Sequence, residues 1–91
     1  MTFEQMLSII DGLGADANYF IVKNEIYVYL IDLKGFDVNH NKIKRNFDNP
    51  EAVKAFKQML ENEYIYRECD FYTRYYCDGF SVRVSYTSVI Y

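Results

Sequence analysis

The sequence predicts an α+β domain of order α-β-β-α-β-β, with an antiparallel four-stranded sheet and two helices packed on one face. Three observations carry that prediction. Residues 2–13 and 49–63 place apolar side chains at helical spacing behind capping signals. Residues 18–33 and 64–91 are rich in β-branched and aromatic residues, and a turn signal interrupts each. A length of 91 residues at 51% hydrophobic content is enough for one modest core, so the chain reads as a single domain, 1–91.

Thr2 followed by Gln5 forms a capping box, after which Phe3, Met6, Leu7, Ile10 and Leu13 make one apolar stripe. Gly12 and Gly14 offer its stop. Tyr19–Val22 and Ile26–Leu33 follow as a hairpin whose turn lies in Lys23-Asn24-Glu25, with Asn24 suited to a left-handed conformation. Ile26, Val28 and Leu30 make one apolar face of the second strand, and Tyr27, Tyr29 and Ile31 the other, as expected of a central or doubly covered strand. Gly35 to Asn49 is polar, carries the only histidine, His40, and leaves room for a helical turn over 41–47. Asn49, Pro50 and Glu51 then open a helix with apolar positions Val53, Phe56, Met59 and Leu60. Phe3-Glu-Gln-Met-Leu7 echoes Phe56-Lys-Gln-Met-Leu60 at an offset of 53, the pattern of two α-β-β halves.

The last hairpin pivots on Asp78-Gly79, a dipeptide suited to a type I′ turn. A two-residue loop there pairs Cys77 with Phe80, Tyr75 with Val82, Thr73 with Val84 and Phe71 with Tyr86 on an apolar face. Continued outward, it pairs Cys69 with Ser88 and Arg67 with Ile90. The opposite face pairs Tyr76 with Ser81, Arg74 with Arg83, Tyr72 with Ser85, Asp70 with Thr87, Glu68 with Val89 and Tyr66 with Tyr91. Tyr66, Tyr72, Arg74, Tyr76, Arg83 and Tyr91 are therefore the candidate partner-binding residues, because Tyr and Arg carry interface energy more often than most side chains. Arginines directly opposite one another cost about 0.2–1 kcal/mol. Either Glu68 or Asp70 neutralises them or water solvates them, or an anion or a partner carboxylate is held between them.

Composition narrows the function. Ten tyrosines and no tryptophan, with seven of the tyrosines at or after Tyr64, exceed what a small core hides. A net charge of −3 argues against nucleic acid as the partner, since that affinity comes from neutralising phosphates. Cys69 and Cys77 on one continuous strand would stand roughly 27 Å apart, which predicts free thiols and a reducing, cytoplasmic setting. No basic, apolar leader opens the chain, and no apolar run is long enough for a membrane span.

Motifs for chemistry are sparse. Asp37-x-Asn39-x-Asn41, with Asp48 at the twelfth place, has the outline of a calcium loop, but Lys42 occupies the glycine position and Lys44 and Arg45 oppose a cation. One histidine and two separated cysteines do not make a zinc site. Phosphate-binding loops and nucleophile elbows are missing, so neither enzyme activity nor a cofactor is expected. Lys34, Lys42, Lys44 and Arg45 form a local basic cluster.

In general character the chain resembles small proteins of bacteriophages and mobile elements, anti-CRISPR inhibitors among them. The compact acidic domain, the Tyr-rich hairpin and the segment Leu33-Lys-Gly-Phe-Asp37 … Phe47-Asp-Asn-Pro-Glu-Ala52 ahead of a helix carry that resemblance. It implies a non-enzymatic inhibitor that binds a host defence protein. The expectation is a protein-binding module working through the Tyr/Arg face, with a homodimer or a single-stranded nucleic-acid binder as the alternatives.

Overall fold

A computed structural model of the chain describes residues 1–32 and 47–88. Helix α1 spans Phe3–Asp11 and leads through a short 3₁₀ turn, Gly14–Asp16, into strands β1, Ala17–Val22, and β2, Glu25–Asp32. Helix α2, Pro50–Glu63, is followed by β3, Ile65–Glu68, β4, Tyr72–Cys77, and β5, Phe80–Ser88. The architecture is α+β, as the sequence predicts, but the sheet has five strands and is mixed. Its order is β1-β2-β5-β4-β3, and β2 runs parallel to β5.

The extra strand explains the parallel pair. A run of fourteen residues from Tyr64 to Cys77 is more than twice the usual strand length. It folds back on itself, and the Cys69 amide closes the reversal on the Tyr72 carbonyl at 2.9 Å. A meander of three strands begins and ends in the same sense, whereas one of two would end reversed. Inserting β3 therefore turns β5 parallel to β2.

Both helices start as their sequences dictate. Thr2 Oγ1 accepts the Gln5 amide at 3.2 Å while Gln5 Oε1 accepts the Thr2 amide at 2.8 Å, completing the capping box. Asn49 caps α2 by accepting the Ala52 amide at 3.3 Å, with Pro50 at the first helical position. A second acceptor reinforces this start. Asp16, only 2% exposed, takes the amides of Asp48 and Asn49, each at 2.7 Å, and so ties α2 to the turn before β1.

Met6, Ile10 and Leu13 meet Val53, Phe56 and Leu60 over one face of the sheet, made of Ile26, Val28, Leu30, Tyr75, Phe80, Val82 and Val84. Phe3 stands edge-on to Phe80 with ring centres 5.5 Å apart. Both helices thus lie on the same side. A twofold relating parallel neighbours β2 and β5 would run along the strands and put the helices on opposite sides. The repeated helix motif is accordingly not a rotational duplication.

The two hairpin turns differ from expectation in detail. Cys77–Phe80, Tyr75–Val82 and Thr73–Val84 pair as read, and Gly79 has φ +80. Asp78 does not share the left-handed region, so the turn has the type II rather than the type I′ pattern. In the first hairpin the left-handed residue is Lys23, φ +53, and not Asn24. Phe71 does not pair with Tyr86, because it sits in the β3–β4 loop and is 88% exposed.

Candidate functional site

The side of the sheet away from the helices is an array built from all five strands. Strand alternation places Phe20, Tyr27, Tyr29, Tyr72, Tyr76, Ile65 and the arginines there, opposite the buried Ile26, Val28, Val82 and Val84. One row crosses the whole sheet in register: Phe20, Tyr27, Arg83, Arg74, Arg67. Three arginines on adjacent strands follow two aromatic residues. Arg67 belongs to this row because β3 pairs it with Arg74, whereas a continuous strand would place it on the apolar face.

Arg74 and Arg83 are directly opposite, and the structure shows how that is tolerated. The carboxylate that neutralises them is Glu25, from the first hairpin, rather than Glu68 or Asp70. Arg74 Nε lies 2.8 Å from Glu25 Oε2 in an ion pair, without its N–H being aimed at that oxygen. The hydrogen bond runs instead from Arg74 Nη2 to Oε1 at 3.2 Å. Ser81 Oγ donates to Glu25 Oε2 at 2.7 Å. The Arg83 guanidinium lies 3.6 Å from the centre of the Tyr72 ring and 5.2 Å from that of Tyr27. Tyr72 also faces Arg74 at 5.6 Å. Cation–π contacts of about 0.5–2 kcal/mol each match or exceed the like-charge cost.

The titration of these groups reflects the same contacts. Desolvation pushes the Glu25 carboxyl up, but hydrogen bonds from Ser81 and Tyr27 and the charges of Arg74 and Arg83 outweigh it. The net displacement is below the ordinary carboxylate value. Tyr27 is raised, chiefly by its hydrogen bond to Glu25. Arg74 is raised, first by its bond to Tyr76, and partial desolvation opposes this. Beneath the sheet, burial pushes Tyr75 up to about 12 and the Cys77 thiol up to about 11.

The predicted site residues separate into three groups. Tyr72, Arg74, Tyr76 and Arg83 share the open face. Tyr66 does not: β3 pairs it with Tyr75, on the helix side, with ring centres 5.7 Å apart. The same fold-back puts Glu68 opposite Thr73 on the helix side and Asp70 in the loop, so neither acid lies among the arginines. Tyr91, His40, the Lys34–Arg45 cluster, the 41–47 turn and the Asp37–Asn41 run lie outside the described residues, as do the pairings of Val89 and Ile90.

Glu25, Tyr27, Phe20 and Arg67 are the members that sequence reasoning missed, together with the bond from Ser81 to Glu25. Length was the available signal for Arg67, since a fourteen-residue strand invites a reversal. The others depend on β2 lying beside β5, which no local pattern encodes. Cys69 and Cys77 are free thiols. Cys77 ends β4 and Cys69 lies beside its start at Tyr72, about 17 Å away along the strand, less than the continuous strand implied but still beyond disulfide reach.

The array offers guanidinium donors backed by π faces, an arrangement that grips planar anionic groups such as carboxylates. Among the described residues no three His, Cys, Asp or Glu side chains cluster to hold a metal ion. Among them, too, no helix is long and apolar enough to cross a membrane. No family model, curated protein or solved structure matches the chain.

Proposed function

We propose that the chain is a non-enzymatic binding module that holds another protein on the open face of its sheet. The row Tyr27–Arg83–Arg74–Arg67, flanked by Tyr72 and Tyr76, carries this reading. Arg and Tyr on a rigid sheet supply large contact area and directed hydrogen bonds at little ordering cost. Glu25 occupies Arg74, whereas Arg67 on β3 is exposed, so a partner carboxylate finds its guanidinium beside the tyrosines. The resemblance to mobile-element inhibitors adds the class of partner, a host defence protein in a reducing cytoplasm.

The test is affinity capture from lysate with wild type beside a folded Tyr72→Ala/Arg74→Ala/Arg83→Ala variant, followed by titration of the purified captured protein. Loss of binding by about tenfold or more for each hot-spot residue supports the reading. Equal binding by the variant would place the interface elsewhere.

A second reading has one observation in its favour. With Glu68 and Asp70 off the open face, Glu25 is, among the described residues, the acid that faces the three arginines, so the described face is locally basic in an acidic protein. Aromatic and arginine side chains on a sheet stack single-stranded bases. A low-salt fluorescence titration with labelled single strands, repeated with Arg83→Ala, separates the two: saturable binding lost in the variant favours nucleic acid.

A further inference from the structure

The two edges of the sheet differ in chemistry. At one edge β3 is four residues long and carries Arg67 and Glu68. At the other, β1 has six residues, Ala-Asn-Tyr-Phe-Ile-Val, with no charge and no proline. Every other strand carries at least one charged side chain, Glu25 in β2, Arg67 in β3, Arg74 in β4 and Arg83 in β5. The register of β1 on β2 is unbroken from Ala17–Leu30 to Val22–Glu25, so no bulge bends the edge away. Proteins guard edges with charge, proline, bulges or shortness, and β1 uses none of these. Phe20, Ile21 and Val22 are 46%, 45% and 48% exposed, and no described strand lies beyond them.

We propose that β1 is a dimerisation edge, on which two copies of this chain pair β1 against β1, antiparallel, about a twofold axis through Phe20. The two-residue loop Lys23-Asn24 closes on Val22 and Glu25, the pair that exchanges both backbone bonds in such a hairpin. Alternation then turns the amides and carbonyls of Tyr19 and Ile21 outward. About an axis at Phe20, Tyr19 stands opposite Ile21 of the second copy, so outward groups meet outward groups. Phe20 meets its own equivalent at a closely spaced, non-bonded position, where aromatic pairs stabilise a sheet. Asn18 falls opposite Val22. An uncharged strand pairs with itself without opposing like charges, which is the chemistry that selects a second copy.

The axis stands perpendicular to the sheet, so a ten-stranded sheet results with both Tyr/Arg rows on one side. The dimer therefore presents its binding face twice, in the same direction. This goes beyond the proposed function and does not require it.

Sedimentation equilibrium and light scattering over a dilution series test the proposal. Wild type is expected to move from the monomer mass of 10.9 kDa towards twice that value as concentration rises. Ile21→Lys introduces a charge on the edge, and Ile21→Pro removes an outward amide without touching the bonds to β2. Each is expected to lower the association constant by roughly a hundredfold or more while keeping the wild-type circular dichroism. In wild type, exchange of the Tyr19 and Ile21 amides slows with concentration. A monomer at every concentration overturns the proposal, as does a dimer that survives both edge variants. A dimer abolished instead by Tyr72→Ala/Arg83→Ala assigns self-association to the open face and equally refutes the edge.

Discussion

Replacing Asp16 by alanine is expected to unfasten the start of α2. The carboxylate receives two backbone amides, from Asp48 and Asn49, both at 2.7 Å, and is almost wholly buried. Hydrogen bonds to a charged acceptor contribute about 1.5–3 kcal/mol each, so the pair is worth at most about 3–6 kcal/mol. Two effects reduce the loss. Asp48 and Asn49 are exposed, so water can reach their amides, and removing the carboxylate relieves the cost of burying it. A net destabilisation of about 2–4 kcal/mol remains, a large share of the stability of a domain this size. Urea unfolding followed by far-UV circular dichroism measures it. With an m-value near 1.5 kcal/mol/M the midpoint falls by about 1.5–2.5 M. Asn49→Ala, which removes only the ordinary cap, is expected to cost about 1 kcal/mol. Because both side chains serve one helix end, the double variant should lose less than the sum. A loss below about 0.5 kcal/mol for Asp16→Ala would refute the reasoning and make the clamp a neutral contact.

Other consequences can be measured on the same preparation. Glu25 has a depressed carboxyl, so its stabilising effect is present above the ordinary value near 4.3 and is lost as pH falls through the lower folded value. Glu25→Gln should therefore lower the urea midpoint at neutral pH and flatten its decline below about pH 4; an unchanged acid slope would count against the network. Lys23 is in the left-handed region without being glycine, so Lys23→Gly is expected to raise stability by up to about 1 kcal/mol, read as a higher melting temperature. The Cys77 thiol, pushed up to about 11, should have a thiolate fraction about a hundredfold lower than in the unfolded chain. Iodoacetamide labelling followed by mass spectrometry should find Cys77 correspondingly protected, and rapid native labelling would show that burial there is incomplete.

How much of this was legible in the sequence depended on the range of the interaction. Thr2–Gln5, Asn49–Pro50, the apolar helix stripes and the strand pairing next to Asp78-Gly79 are local, and each formed as read. The face holding Tyr72, Arg74, Tyr76 and Arg83 followed from alternation within six residues of the turn. Extrapolation past Tyr72 failed, because the chain reverses at Cys69–Phe71 and every later pairing changed with it. That reversal moved Tyr66 to the helix side and Arg67 to the open face, and through strand parity it made the sheet mixed. Glu25 and Asp16 act on residues 49 and 32 positions away, and no local pattern points that far.

The parallel contact between β2 and β5 also governs when the fold can form. Glu25 and Ser81, adjacent at its start, are 56 residues apart in the chain, and Ser81 donates its amide to Asn24 at 2.8 Å in the turn of the first hairpin. The most buried strands, carrying Ile26, Val28, Leu30, Val82 and Val84, have no partner for that face of the seam until β5 exists. During synthesis β5 follows every other described element, so the first hairpin emerges with its central strand unpaired on one side. Closing so long a loop before any reward slows folding, which places this domain among slow, topologically non-local folders rather than fast helical ones. A nascent chain halted after β4 should remain as sensitive to protease as an unfolded one, and resistance should arrive in a single step when the last strand is added.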